Sequence, residues 1–165
     1  MKRKTTAVLV LSVAMFGTGI ETRADSRKNC ERLRGSIAET RVPSNDVFGR
    51  FVGIVTGTLK GVSTVYITSL SPVASFDVFV TKRGDVLTAV GAPTRTAVPG
   101  QPGEFISHVD LTITGGSGKY AGATGTMTFD GFTHATVPTT VELIYQGEAC
   151  GPNIKAREDP DDQEE

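Results

Sequence analysis

Apolar and polar side chains alternate with a period of two along most of this chain, and such alternation is typical of strands. It is clearest in residues 104–114, where one face is apolar and the other carries His108, Asp110, Thr112 and Thr114. No window after the first 24 residues shows apolar side chains at helical spacing. Turn residues divide the chain into about eight short strands, enough to close a small barrel. We therefore predict an all-β fold, an eight-stranded antiparallel closed barrel, with an irregular Pro-containing loop over residues 91–103.

The first residues have the layout of a secretory signal peptide. Lys2, Arg3 and Lys4 precede an uncharged, largely apolar stretch, and small residues flank Arg23 before a cleavage site after Ala24. An uncleaved membrane anchor is the alternative. We expect residues 1–24 to be the signal peptide, 25–152 the barrel domain and 153–165 a disordered acidic tail. The mature protein would then be secreted or periplasmic.

Charge argues against several partners. Residues 1–24 hold four basic residues and one acidic residue, so the chain without them has a formal charge of −4 instead of −1. A moderately acidic domain is not suited to nucleic acid or anionic lipid. We therefore predict no nucleic-acid partner, and no membrane partner after signal cleavage.

Two cysteines lie in the predicted mature part, Cys30 near its start and Cys150 near the end of the last strand. An even number of cysteines in an exported chain favours a disulfide, which would bring the first and last strands together. Metal binding and a reactive thiol are the alternatives. A structural zinc site needs four ligands, and the two Cys and two His here have no short spacing. We predict neither a metal nor a cofactor.

One run of residues is distinctive, the segment from Leu111 to Gly125 with the sequence LTITGGSGKYAGATG. Its glycines match neither the dinucleotide-binding spacing nor a P-loop, so we expect them to build a tight connection, with Tyr120 plugging the end of the barrel. The glycines and the aromatic residue of this pattern are Gly115, Gly116, Gly118, Tyr120, Gly122 and Gly125.

This run resembles the signature of the allene oxide cyclase and dirigent barrel superfamily, with Ser117 in place of the usual Thr and Tyr120 in place of the usual Phe. The resemblance implies an eight-stranded antiparallel barrel, most similar to bacterial exported members with an allene oxide cyclase barrel-like domain. Plant dirigent proteins orient the radical coupling of phenols, and allene oxide cyclases steer the cyclisation of a reactive apolar ligand. The signature implies a fold and carries over no catalytic residue.

The strand pattern also predicts which side chains face the lumen. The ligand-binding candidates are Tyr145, Tyr66, Phe105 and Phe129, and we assign Asp77, His108 and Asp110 to the outer surface. His108 and Asp110 form an alternative polar pair that would line the lumen if the faces were reversed. The side chains expected to point inward are Phe51, Val55, Phe76, Val78, Val80, Phe105, Val109, Leu111, Met127, Phe129, Val141, Leu143 and Tyr145.

Three functions follow as hypotheses. The first is a non-catalytic secreted barrel that binds a small apolar ligand or a partner protein. The second is a cyclase- or isomerase-like, or dirigent-like, barrel that steers a reactive apolar substrate in its lumen. The third is self-association into a homo-oligomer through the barrel surface. The volume and lining of the lumen distinguish the first two hypotheses.

Overall fold

Eight strands follow one another along the part of the chain that the structure describes, and each pairs antiparallel with its sequence neighbours. The computed structural model describes residues 29–45 and 48–155, and the predicted signal peptide lies outside them. The all-β closed barrel expected from the alternation is confirmed. The strands are β1 (Cys30–Val42), β2 (Arg50–Val55), β3 (Gly61–Leu70), β4 (Val73–Thr81), β5 (Val86–Ala97), β6 (Glu104–Ser117), β7 (Thr124–His134) and β8 (Thr140–Cys150).

The barrel closes where β1 pairs with β8, from Cys30 opposite Cys150 to Thr40 opposite Thr140. The Cys30–Cys150 disulfide joins the first pair of this register, with the two Cα atoms 4.0 Å apart. The predicted disulfide and the predicted contact of the first and last strands are both confirmed.

One end of the barrel is closed by two short 3-10 turns, Gly57–Leu59 and Gly118–Tyr120. Leu59 and Tyr120 are fully buried there. Ile154, beyond the last strand and within the segment expected to be a tail, is also buried in this core. Residues 156–165 lie outside the part of the chain that the structure describes.

The opposite end is open, and β5 determines its shape. β5 continues to Ala97 through residues expected to form a loop, because it pairs with β6 as far as Ala97 opposite Phe105. Its pairing with β4 ends at Ser75 opposite Gly91. Pro93 therefore lies where β5 has only one neighbouring strand, a position where a missing backbone N–H is tolerated. The result is a gap between β4 and β5 at the open end.

The predicted inward face is correct for most strands and reversed for β4. Its buried residues are Ser75, Asp77 and Phe79, whereas Phe76, Val78 and Val80 point outward. The expectation failed because the outward face of β4 is the more apolar one and its lumen face carries the polar Ser75 and Asp77, so alternation indicates the wrong orientation. Phe79 packs inside against Phe129, with ring centroids 6.0 Å apart. Asp77, expected outside, thus lies in the lumen.

No helix among residues 29–45 and 48–155 combines the length and apolar character needed to cross a bilayer.

Candidate functional site

A cavity of about 60 Å³ occupies the open half of the lumen. Ile37, Phe79, Leu111 and Phe129 contribute to its lining at the packed half of the barrel. The apolar lining also includes Phe51, Val65, Ile67, Val109, Val141 and Leu143. The polar lining consists of Glu39, Ser75, Asp77, Arg95, Ser107 and Thr133. The cavity therefore combines apolar walls with two carboxyl groups.

Glu39 projects into this cavity from β1, and only 7% of its surface is exposed. Its Oε1 accepts a hydrogen bond of 2.8 Å from Ser63 Oγ. Gly53 lies between them on β2, opposite both Glu39 and Ser63 in register. A Cβ at Gly53 would lie 2.6 Å from Glu39 Cγ, so the missing side chain leaves room for this contact. Burial, opposed by the Ser63 hydrogen bond and reinforced by the charge of Asp77, raises the pKa of Glu39 to about 7.

Asp77 faces the cavity from β4, and only 6% of its surface is exposed. Its Oδ2 accepts a 2.6 Å hydrogen bond from Ser75 Oγ on the same face of the strand. Burial raises the pKa of Asp77 to about 7, and the hydrogen bond from Ser75 opposes that rise. Opposite Asp77 in register are Val65 on β3 and the small Ala89 on β5. Because the pKa values of Glu39 and Asp77 are both about 7, both carboxyl groups titrate close to neutral pH.

Two arginines belong to the open end. Arg95 lines the cavity from the part of β5 beyond the β4–β5 gap, and Arg41 is two residues beyond Glu39 on the same face of β1. Both residues are exposed. Partial burial of the Arg95 side chain is the larger of two causes that lower its pKa, and the charge of Arg41 is the smaller. Arginine nevertheless keeps its charge in proteins, so the rim is positive and the interior carries the carboxyl groups.

Two aromatic candidates lie deeper. Phe129 lines the cavity and also packs on the Tyr145 ring, with centroids 5.4 Å apart. Tyr145 is 3% exposed and does not line the cavity. Its hydroxyl donates to Thr56 O at 2.7 Å and accepts from Leu59 N–H at 3.0 Å. The hydroxyl of Tyr145 thus stabilises the Gly57–Leu59 turn at the closed end.

The other candidates do not converge with Phe129. Tyr66 lies on the outer face of β3 beside Phe76, with ring centroids 6.4 Å apart. Phe105 is on the inner face of β6 but is half-buried and outside the cavity lining. Tyr66 therefore lies outside the lumen.

The polar pair stays on the outer surface. His108 Nδ1 is 2.7 Å from Asp130 Oδ1, and its Nε2 is 3.3 Å from Asp110 Oδ1. The hydrogen bond with Asp130 is the largest cause that raises the pKa of His108. Solvent surrounds this cluster, and none of its three members lines the cavity.

The glycine-rich run forms the connection from β6 to β7 at the closed end. The Tyr120 hydroxyl donates to Glu31 Oε2 at 3.1 Å, and Lys119 Nζ lies 2.9 Å from the same oxygen. Burial, reinforced by the charge of Glu31, raises the pKa of Tyr120. Lys119 N–H also donates to Asp85 Oδ1 at 3.0 Å. The glycines of the run, Gly115, Gly116, Gly118, Gly122 and Gly125, all have positive φ. This segment is a structural cap, remote from the cavity.

One cluster within the described residues has metal-ligand atoms close enough for an ion, namely Cys30, Glu148 and Cys150. Both of its sulfur atoms are bonded to each other in the disulfide. Thiolates are the sulfur ligands that metals take, so this cluster does not fit a metal centre in its oxidised form.

The sequence prediction missed Glu39 and Asp77. A signal for Glu39 existed, because it shares a strand face with Leu33 and Ile37, and a carboxyl group on an apolar face is unusual. Asp77 had no such signal, since it alternates with Phe76 and Val78 and therefore falls on the more polar face of β4. Nothing in the pattern indicates that the two strands bring these groups into one cavity.

Fold and cavity together define a class: a closed antiparallel barrel, capped at one end, with a carboxyl-containing cavity at the other. No family model, no curated protein and no solved structure matches the chain.

Proposed function

We propose that the barrel is a non-catalytic binding protein that takes the compact polar head of a small amphiphilic molecule into its cavity. The observation that carries this proposal is the combination of apolar walls with the two buried carboxyl groups of Glu39 and Asp77. Hydrogen-bonding groups in an apolar cleft are the usual composition of a small-molecule site. The closed end, where the Tyr145 hydroxyl is already bonded, contributes no ligand contact.

The size of the cavity limits how the ligand binds. At about 60 Å³ it is smaller than the ~150 Å³ cavity that admits benzene and far below the roughly 300–1,000 Å³ of drug-sized sites. Only a group of a few heavy atoms fits inside. An apolar remainder would lie at the open end against Ile67, Pro93 and Val109.

We also propose that the protein acts outside the cytoplasm and is related to the allene oxide cyclase and dirigent barrels. The disulfide is compatible with an oxidising compartment. The relationship is supported by the strand count and by the position of the glycine-rich run between β6 and β7.

The second candidate function is steering of a reactive substrate. Glu39 and Asp77 favour it, because a carboxyl group with a pKa near 7 in an apolar site is suited to general acid or base catalysis. In that case Glu39→Gln would abolish turnover while the substrate still bound. A non-catalytic barrel would show no turnover to lose.

Titration of the purified, isotope-labelled protein with 1-butanol, followed by NMR, tests the binding proposal. We expect saturable shifts of the methyl signals of Val65, Val109 and Val141. Val109→Phe fills the cavity and should abolish them, whereas Ile106→Phe, on the exposed face of the same strand, should not. Unchanged binding by Val109→Phe, or shifts confined to outer methyl groups such as Val62, would contradict the proposal.

A further inference from the structure

We propose that the head group held in this cavity is a protonated amine, bound between the carboxylates of Glu39 and Asp77. This inference rests on the proposed function and deepens it, because it names the chemical class of the ligand. A neutral or an anionic head group would be the alternative to this cationic one.

The first argument is the missing counter-charge. Buried carboxylates in proteins are normally paired with a cation, because an isolated buried charge is costly. The ion pairs among the described residues join His108, Lys119 and His134 to other carboxylates, and none includes Glu39 or Asp77. A cation supplied by a ligand would complete the pair.

The second argument is the pattern of hydrogen bonds. Each serine occupies one carboxylate oxygen, Glu39 Oε1 or Asp77 Oδ2. The second oxygens, Glu39 Oε2 and Asp77 Oδ1, receive no hydrogen bond from any residue that the structure describes, although both residues are buried. Both side chains line the cavity. An ammonium group has three donors and no acceptor, so it suits a site whose unbonded polar atoms are both acceptors.

Other head groups fit less well. A calcium ion takes six to eight oxygen ligands, whereas most of this lining is apolar. A carboxylate or phosphate would be repelled by Glu39 and Asp77, and the arginines that could attract it are exposed at the rim. An alkylammonium ion combines the required charge with an apolar body that matches Phe51, Val65 and Val109.

The proposal has a pH dependence of defined sign. The other charged groups on the inner face at this end are Arg41, two residues beyond Glu39 on β1, and Arg95 of β5, which lines the cavity, and both stay cationic over the range tested. β2, β3, β6, β7 and β8 turn only uncharged side chains toward the cavity, among them Phe51, Val65, Ser107, Thr133 and Val141. Ionisation of Glu39 and Asp77 therefore controls binding. The pair is neutral at pH 5 and anionic at pH 8, so affinity for an ammonium ion rises with pH.

Three probes of equal length test this inference by NMR titration: n-butylammonium, 1-butanol and n-butyrate. At pH 8 we expect n-butylammonium to bind at least tenfold more tightly than 1-butanol, and n-butyrate not to bind. The preference should fall at least tenfold at pH 5. It should also disappear in Glu39→Gln/Asp77→Asn, in which neutral groups of similar shape replace the pair.

The matched control is Glu142→Gln/Glu148→Gln, which removes the same charge from exposed positions on β8 and should keep the preference. Equal binding of amine and alcohol, or a preference that survives in the Glu39/Asp77 variant, would overturn the inference and leave the proposed function standing. Tighter binding of n-butyrate would overturn it in favour of the rim arginines. Failure of all three probes would refute the proposed function itself.

Discussion

A carboxyl group inside a barrel must be protonated, hydrogen-bonded or paired with a cation. Glu39 and Asp77 each have one serine hydroxyl, and the Ser63–Glu39 contact reaches across β2 because Gly53 has no side chain. The Tyr145 hydroxyl, in contrast, already donates one hydrogen bond to Thr56 and accepts one from Leu59, so it has no role left for a ligand. At the scale of residues, the free capacity to bind a ligand thus lies with the carboxyl pair.

Burial of Glu39 and Asp77 should make the free energy of unfolding depend on pH. The folded pKa values of Glu39 and Asp77, about 7, exceed the ordinary values of 4.5 and 3.8, so the folded state binds more protons. The free energy of unfolding should therefore be higher at pH 5 and fall toward pH 8, by roughly 3 kcal/mol per carboxyl group at most. Urea denaturation across this range measures it.

Glu39→Gln/Asp77→Asn should remove most of that decrease, while Glu142→Gln should leave it unchanged. His108 contributes in the same direction, because its pKa is also raised in the folded state, and its contribution stays in the double variant. A wild-type profile that is flat or rises between pH 5 and pH 8 would contradict the assignment of the buried pair.

At the scale of elements, the two ends of the barrel are built differently. At the open end β5 loses β4 as a neighbour after Gly91 and continues on β6 alone, which leaves the cavity accessible. At the closed end the β6–β7 connection packs Tyr120 into the core, and close approach of backbones there depends on Gly116. A Cβ at Gly116 would lie 1.8 Å from the carbonyl oxygen of Val86 on β5.

Gly116→Ala should therefore destabilise the fold more than Gly115→Ala. Both glycines have positive φ, +155° and +135°, so both substitutions strain the backbone by about 1–3 kcal/mol. The added methyl group at Gly115 meets no atom within 4 Å, whereas at Gly116 it clashes with β5. Urea midpoints of the two variants give the comparison. Equal midpoints would show that the β5–β6 contact at Val86 does not limit the fold.

At the scale of the whole molecule, closure of the barrel depends on β1 and β8, the strands farthest apart in the chain. Their pairing runs from the disulfide at the closed end to Thr40 and Thr140 near the open end. The disulfide joins residues 120 positions apart and so restricts the unfolded chain strongly.

Cys30→Ser/Cys150→Ser should lower the free energy of unfolding by about 2–5 kcal/mol, because the unfolded chain regains the freedom of a long loop. Urea denaturation of oxidised, reduced and double-variant protein measures the loss, and the reduced wild type should match the variant. The cavity lies at the other end, so binding of 1-butanol by the folded variant should persist. An unchanged midpoint would mean that β1–β8 pairing alone closes the barrel.

Two predictions from the sequence held for identifiable reasons. The alternation in β6 has one clearly apolar face, which orients that strand and places His108 and Asp110 outside. Cys30 and Cys150 bound the strand region, so their pairing implied the contact of β1 with β8. Two others failed where local signals were misleading. The more apolar face of β4 points outward, and the prolines of residues 91–103 hid the second half of β5.

The sequence alone determined the strand content, the closed eight-stranded barrel and the disulfide, because each depends on local periodicity or on residue type. Only the tertiary structure decided which face of β4 is inside, since pairing with β3 and β5 sets that orientation. The cavity depends on it as well. Glu39 and Asp77 come from different strands, and only the register of β1 to β4 and the closure of the barrel place them in one cavity.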